Sequence, residues 1–157
     1  MFFPFVFALV VAGSYASAVP TGDSSRTVNK VKLLQLINDV RKKGCTCGDS
    51  FYNAAPALGW NDQLEKAAFN HSSDMSSKNY FSHDSPSGTT PGDRIKTSGY
   101  TWTAYAENIG FGYSTEETMV KGWLKSPGHC RNIMGKNFRE IGVAKVNDYW
   151  TADFASR

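Results

Sequence analysis

The chain predicts an α+β layered domain, on three observations. Amphipathic helical segments come first along the chain. Residues 138–146 and 149–154 then alternate apolar and polar with a period near two. Between those two runs, Asn147-Asp148 suits a two-residue hairpin turn. Helices first and an antiparallel pair last is the order of an α+β fold.

Taken in order, residues 27–43 read as an amphipathic helix with Val28, Val31, Leu34, Ile37 and Val40 or Arg41 on one side. It ends at Gly44, in the position glycine favours after a helix. The short basic run Arg41-Lys42-Lys43 reads as a solvated helix end. A loop follows through Pro56. A second helix starts at Asn61 or Asp62, with Asp62 and Glu65 as an acidic capping box. Its core-facing stripe is Trp60, Leu64, Ala67, Ala68, His71 and Met75, running to about Asn79. Thr90-Pro91-Gly92-Asp93 has a cap residue, proline at the first helical position and an acid at the third, so a short helix runs to Ser98 and stops at Gly99. Residues 105–113, punctuated by glycine, form a short strand. Ser114 and Glu117 make a capping box for a helix carrying Met119, Val120, Trp123 and Leu124. Ser126-Pro127 caps a last short helix with His129, Ile133 and Met134.

Residues 1–18 read as a secretory signal peptide: 2–12 are almost wholly apolar, and Ala16-Ser17-Ala18 is a small-x-small cleavage pattern. The usual basic start is missing. The run is shorter than the roughly 20 residues a membrane span needs, and no later segment is long and apolar enough. Residues 19–157 suit one domain with a single core. A net charge of +3 and a single short basic cluster exclude a nucleic-acid-binding footprint. In an exported chain Cys45, Cys47 and Cys130 are free to oxidise. A bridge from Cys130 to Cys45 or to Cys47 closes a long loop, worth about 4–5 kcal/mol in the chain-entropy view. The third thiol is left over, and it is available for pairing between chains.

Three segments hold the side chains fit for chemistry. His83 is presented from a loop just after the second helix. Glu107 lies in the small and apolar stretch 106–110, where a buried carboxylate needs a partner; Arg94 and Arg131 are the candidates. His129 stands third in its helix, where the dipole keeps an imidazole neutral. Glu117 reads foremost as a capping acid and His71 as a core histidine. Asn70-His71-Ser72 is a glycosylation sequon placing Asn70 inside the second helix.

In order and spacing these segments resemble the CAP superfamily of cysteine-rich secretory, antigen-five and pathogenesis-related proteins, in its compact bacterial-type form without the cysteine-rich tail. The resemblance spans residues 38–154. It is carried by Trp60-Asn61, Asp74-Met75, the 79–83 run ending Phe81-Ser82-His83, Gly92-Asp93-Arg94-Ile95, Glu107-Asn108-Ile109, Trp123, Ser126 to Met134, Ile141-Gly142-Val143, Tyr149-Trp150-Thr151 and Asp153-Phe154. It implies a three-layer α-β-α sandwich with a mainly antiparallel central sheet. It also implies a cavity lined by His83, Glu107 and His129, a ligand set for zinc or another divalent cation. The fourth acid of many members falls at Ser126 in this chain, which makes the site less negative.

The resemblance further implies a secreted, extracellular binding protein, non-enzymatic and lipid- or sterol-binding or defence-related. Its partners would be a sterol, a fatty acid or a membrane surface, with Tyr80, Phe81, Tyr105, Phe111 and Trp123 as groove candidates. The alternative is a zinc-dependent hydrolase, protease or esterase, in which two imidazoles and a carboxylate leave one position open for water. No HExxH motif and no Gly-x-Ser-x-Gly elbow is present to supply a base or a nucleophile.

Overall fold

The computed structural model describes residues 28–157; the signal-peptide expectation and residue 27 of the first helix lie outside the described residues. Among the described residues, five helices and six strands follow in order: α1 (Lys30–Lys43), β1 (Cys45–Cys47), β2 (Ser50–Tyr52), β3 (Gly59–Trp60), α2 (Asp62–Lys78), α3 (Pro91–Thr97), β4 (Ala104–Phe111), α4 (Glu116–Lys125), α5 (Pro127–Ile133), β5 (Glu140–Val146) and β6 (Tyr149–Ser156). β3, β5, β6 and β4 make the central sheet in that spatial order; β1 and β2 form a separate hairpin. The β5–β6 and β6–β4 pairs are antiparallel, but β3 lies parallel to β5, so the sheet is mixed.

Antiparallel pairing puts opposed residues on one face. Glu107, Asp153 and Gly142 form such a row across β4, β6 and β5. The face they share is covered by α2 and α3. A side chain at Gly142 would lie 1.9 Å from the Glu65 backbone nitrogen, so only glycine lets α2 descend this far. The opposite face, with Ile141, Val143, Trp150, Ala152 and Phe154, packs on Leu33, Ile37, Met119, Trp123 and Ile133 from α1, α4 and α5. The result is helix, sheet, helix. Each large side chain so buried contributes about 1.5–3 kcal/mol.

The hairpin between β5 and β6 turns where the sequence places it, with Asn147 left-handed at φ 52°. β6, however, is buried along its whole length. It is an inner strand covered on both faces, and its polar residues Thr151 and Asp153 do not mark an exposed side. The stripe of α1 is also rotated from expectation. Leu33, Ile37 and Arg41 are its buried residues, whereas Val31 is 78% exposed.

Arg41 is thus no solvated helix end. It is fully buried, donating to the carbonyls of Pro56, Ile133 and Gly135 at 2.6–3.0 Å. Burial, then the Arg139 charge, depresses its pKa to about 10. Lys42 and Lys43 alone face water.

Two capping boxes differ from expectation. Asn61 caps α2, accepting from the Gln63 and Leu64 amides, while Glu65 turns to Lys30 and the Trp60 indole. Thr115 and Thr118 cap α4, which frees Glu117 to pair with Lys32. The Thr90–Asp93 box of α3 forms as the sequence predicts. Cys45 to Tyr52, expected as loop, is the β1–β2 hairpin. Its Cys47 is bonded to Cys130 of α5, with Cys45 present as a free thiol.

Candidate functional site

The site forms at the free edge of β4. An edge strand leaves alternate carbonyls unpaired, and here side chains cover them. Asn132 Nδ2 donates to the Glu107 carbonyl at 3.2 Å, and Trp123 Nε1 to that of Ile109 at 2.9 Å. Asn108 in turn donates to the His129 carbonyl at 3.1 Å and accepts from Asn132 at 2.9 Å. These bonds lay α5 along the strand and set His129 beside it.

From the other side, the loop after α2 brings His83 to the same corner. Its Nδ1 is 2.8 Å from Glu107 Oε1. A carboxylate only accepts, so Nδ1 carries the hydrogen, and in the neutral ring the lone pair then lies on Nε2. The His83 and His129 rings stand 6.4 Å apart, edge to face. Desolvation, then the neighbouring His83, holds His129 below the ordinary histidine pKa, so it is neutral.

Glu107 is 2% exposed at its side chain and well partnered. Its Oε2 accepts from Arg94 at 2.7 Å, and the same guanidinium group donates to the His83 carbonyl at 2.8 Å. Of the two candidate arginines, Arg94 is therefore the partner, while Arg131 is exposed. Behind Glu107 lie two buried groups. His71 donates Nε2–H to the Ser82 carbonyl at 2.9 Å, and among the described residues its Nδ1 has no partner. Asp153 is fully buried, and among the described residues no donor reaches either of its oxygens. Burial, then the Glu107 charge, pushes its carboxyl well above the usual range, so it retains its proton.

Ser126 and His129 line a cavity of about 310 Å³ with Phe81, Phe111, Met119 and Trp123. A second, of about 270 Å³, lies between Tyr80, Phe81, Phe111 and Tyr149. Phe81 and Phe111, 52% and 53% exposed, border both. Glu117 is absent from either lining, being held by Lys32. Asn70 is exposed in the interior of α2. The sulfurs of Cys45, Cys47 and Cys130 form a trio of metal-capable atoms that all lie within 4.8 Å of one another.

Sequence reasoning counts Asp153 in the family likeness but assigns it no role in the site. Its signal is present: an acid between Ala152 and Phe154 in an apolar strand.

This arrangement has relatives. Residues 34–154 match the CAP family, the cysteine-rich secretory proteins. The chain belongs to the CAP family. It is 35% identical over 136 residues to the uncharacterized Bacillus subtilis protein YkwD, and 30% identical over 132 to the uncharacterized membrane protein YlbC of the same organism. Those matches cover 85% and 84% of this chain but only 49% and 36% of the relatives, so the chain spans half their length or less. Among solved structures, an extracellular protein containing an SCP domain from Bacillus anthracis superposes with a TM-score of 0.71 at 31% identity, over 81% of this chain and 40% of its own. An outer surface protein of Borrelia burgdorferi shares the fold with a TM-score of 0.69 at 24% identity, over 81% of this chain and 91% of its own.

Proposed function

We propose that this CAP-domain protein is an exported binding protein. In this reading it holds a divalent cation, zinc foremost, at His83 and His129, and seats an apolar lipid-type ligand in the adjoining groove. The observation that carries the reading is the hydrogen bond from His83 Nδ1 to Glu107. A carboxylate behind a histidine fixes the tautomer and raises the basicity of the other nitrogen, which is how metal-binding imidazoles are commonly supported. His129, neutral and with no hydrogen bond to its ring among the described residues, fits as the second donor.

Glu107 fits less well as a direct ligand, because both its oxygens already accept hydrogen bonds from His83 and Arg94. It serves by orienting His83. A bound zinc ion would supply a Lewis-acidic centre with coordination positions left for a ligand's oxygen. The hydrolase alternative needs a base free to take a proton from water, and the same engagement of Glu107 argues against it.

The groove supports the second half of the reading. Two apolar hollows meeting at a pair of half-exposed phenylalanines suit an acyl chain or a sterol skeleton better than a polar substrate. Export is supported by the apolar start and the Ala16-Ser17-Ala18 pattern.

The test is direct. Protein freed of metal is titrated with zinc by calorimetry and, separately, with a fluorescent fatty acid. One zinc per chain is expected, lost in His83→Ala and His129→Ala, while Phe81→Ser with Phe111→Ser loses the fatty acid and keeps the zinc. Zinc uptake unchanged in both histidine variants would overturn the cation reading. Fatty-acid binding unaltered by the double serine variant would overturn the groove.

A further inference from the structure

Beside that site, where Cys130 follows His129 in α5, three sulfur atoms lie together between the helix and β1. Cys47 is bonded to Cys130, and the free Cys45 lies 3.6 Å from the Cys130 sulfur and 3.8 Å from that of Cys47. The cause is local. Cys45 and Cys47 are two apart on β1, so both project from the same face of the hairpin, and Cys130 faces them from α5. We propose that the three cysteines form a thiol–disulfide exchange site, with Cys130 shared between two alternative bonds, Cys47–Cys130 and Cys45–Cys130.

The step conserves electrons. The Cys45 thiolate attacks the Cys130 sulfur and forms the Cys45–Cys130 bond. The Cys47–Cys130 bond breaks, Cys47 leaves with the electron pair, and it takes up the proton that Cys45 released. No oxidant or reductant is consumed. Cys45 stands beside the S–S bond at nearly equal distances from both sulfurs, so its side chain must first rotate toward the line of that bond. Burial also raises the Cys45 thiol pKa, so exchange is slow at neutral pH and quickens in alkali.

The exchange has a mechanical consequence. The hairpin turn at Gly48 rests on Pro127, the first residue of α5. Moving the anchor from Cys47 to Cys45 shifts the tether of α5 by two residues along β1. Because α5 carries His129 directly before Cys130, the bond chosen beneath the helix biases where His129 stands in the groove.

The experiment follows the free thiol. Purified oxidised protein is held at neutral and mildly alkaline pH, quenched with N-ethylmaleimide in acid, digested with pepsin and sequenced by mass spectrometry. Label is expected on both Cys45 and Cys47 and not on Cys130. The Cys47 share should appear about tenfold faster per pH unit below the thiol pKa. Label confined to Cys45 after prolonged alkaline incubation would overturn the proposal, as would label on Cys130. Cys47→Ser supplies a second readout: a Cys45–Cys130 cross-linked peptide and no free thiol are expected, and two free thiols in the folded variant would overturn the idea. Should that variant not fold, the wild-type labelling decides alone. Cys45→Ser, locked as Cys47–Cys130, is the control that must show no free thiol.

Discussion

At the scale of single residues, the most consequential group is one to which sequence reading assigns no role. Asp153 faces Glu107 across the β4–β6 pair, and a negative row of two would be untenable in a space that α2 seals. Asp153 stays protonated, leaving the single charge to Glu107 and its Arg94 partner. Unfolded, Asp153 ionises around 3.8; folded, it holds its proton well above that. Between the two values the unfolded chain has lost a proton the folded one keeps, so wild-type stability falls as pH rises through that window. Asp153→Asn removes this cost. In urea unfolding, its stability relative to wild type should grow with pH above about 4, by up to about 1.4 kcal/mol per unit, then level off. A difference independent of pH would contradict the assignment. His71 and His129 act in the opposite sense. Their folded values lie below 6.5, so their contribution is complete above that pH and is lost as pH falls.

At the scale of elements, Arg41 ties the end of α1 to three turns. Its guanidinium spans carbonyls from the segment before β3, from the last residue of α5 and from the turn after it. Arg41→Met would leave these acceptors unpaired, each at about 1–3 kcal/mol, and should destabilise the protein by about 3 kcal/mol or more in denaturant titration. Arg41→Lys should recover little, since one ammonium cannot reach the same fork. A Lys variant as stable as wild type would show that charge alone suffices. Gly142→Ala should prove comparably severe, because its added carbon meets the backbone of α2 and not a side chain that could move aside. A thermal midpoint unchanged in that variant would mean that α2 sits higher on the sheet than described.

These two positions show where sequence reading stops. Periodicity locates α2, α3 and the β5–β6 hairpin because each rule there is local: spacing, a cap, a two-residue turn. Arg41 is misread because a basic residue at a helix end looks solvated, and only the converging loops reveal the carbonyls waiting for it. The α4 cap moves by one residue for a similar reason. Lys32, on a different helix, claims Glu117 and leaves Thr115 and Thr118 to close the turn.

At the scale of the whole molecule, the three layers create the site by leaving one sheet edge to be dressed by side chains. α2 and α3 supply His71 and Arg94 from one side, α5 supplies His129 from the other, and the loop carrying His83 wraps the edge between them. That convergence is legible from three short segments through their likeness to a known family, and from no propensity or period. The relation among the three is not. The resemblance implies three equal ligands, while in the packed structure both Glu107 oxygens are already taken, one by His83 and one by Arg94. Disrupting that arrangement should be measurable: Arg94→Met should weaken zinc uptake without touching either imidazole, by about 10–100-fold as such supporting partners typically do. Affinity equal to wild type would assign Arg94 to stability alone.

The central claim concerns which nitrogen of His83 is free, and long-range proton–nitrogen correlation of the imidazoles observes it directly. Hydrogen is expected on Nδ1 of His83 in the metal-free protein, then zinc-induced shifts at His83 Nε2 and in the His129 ring with the Nδ1 proton retained. Hydrogen found on Nε2 of His83, or spectra unmoved by saturating zinc, would contradict it.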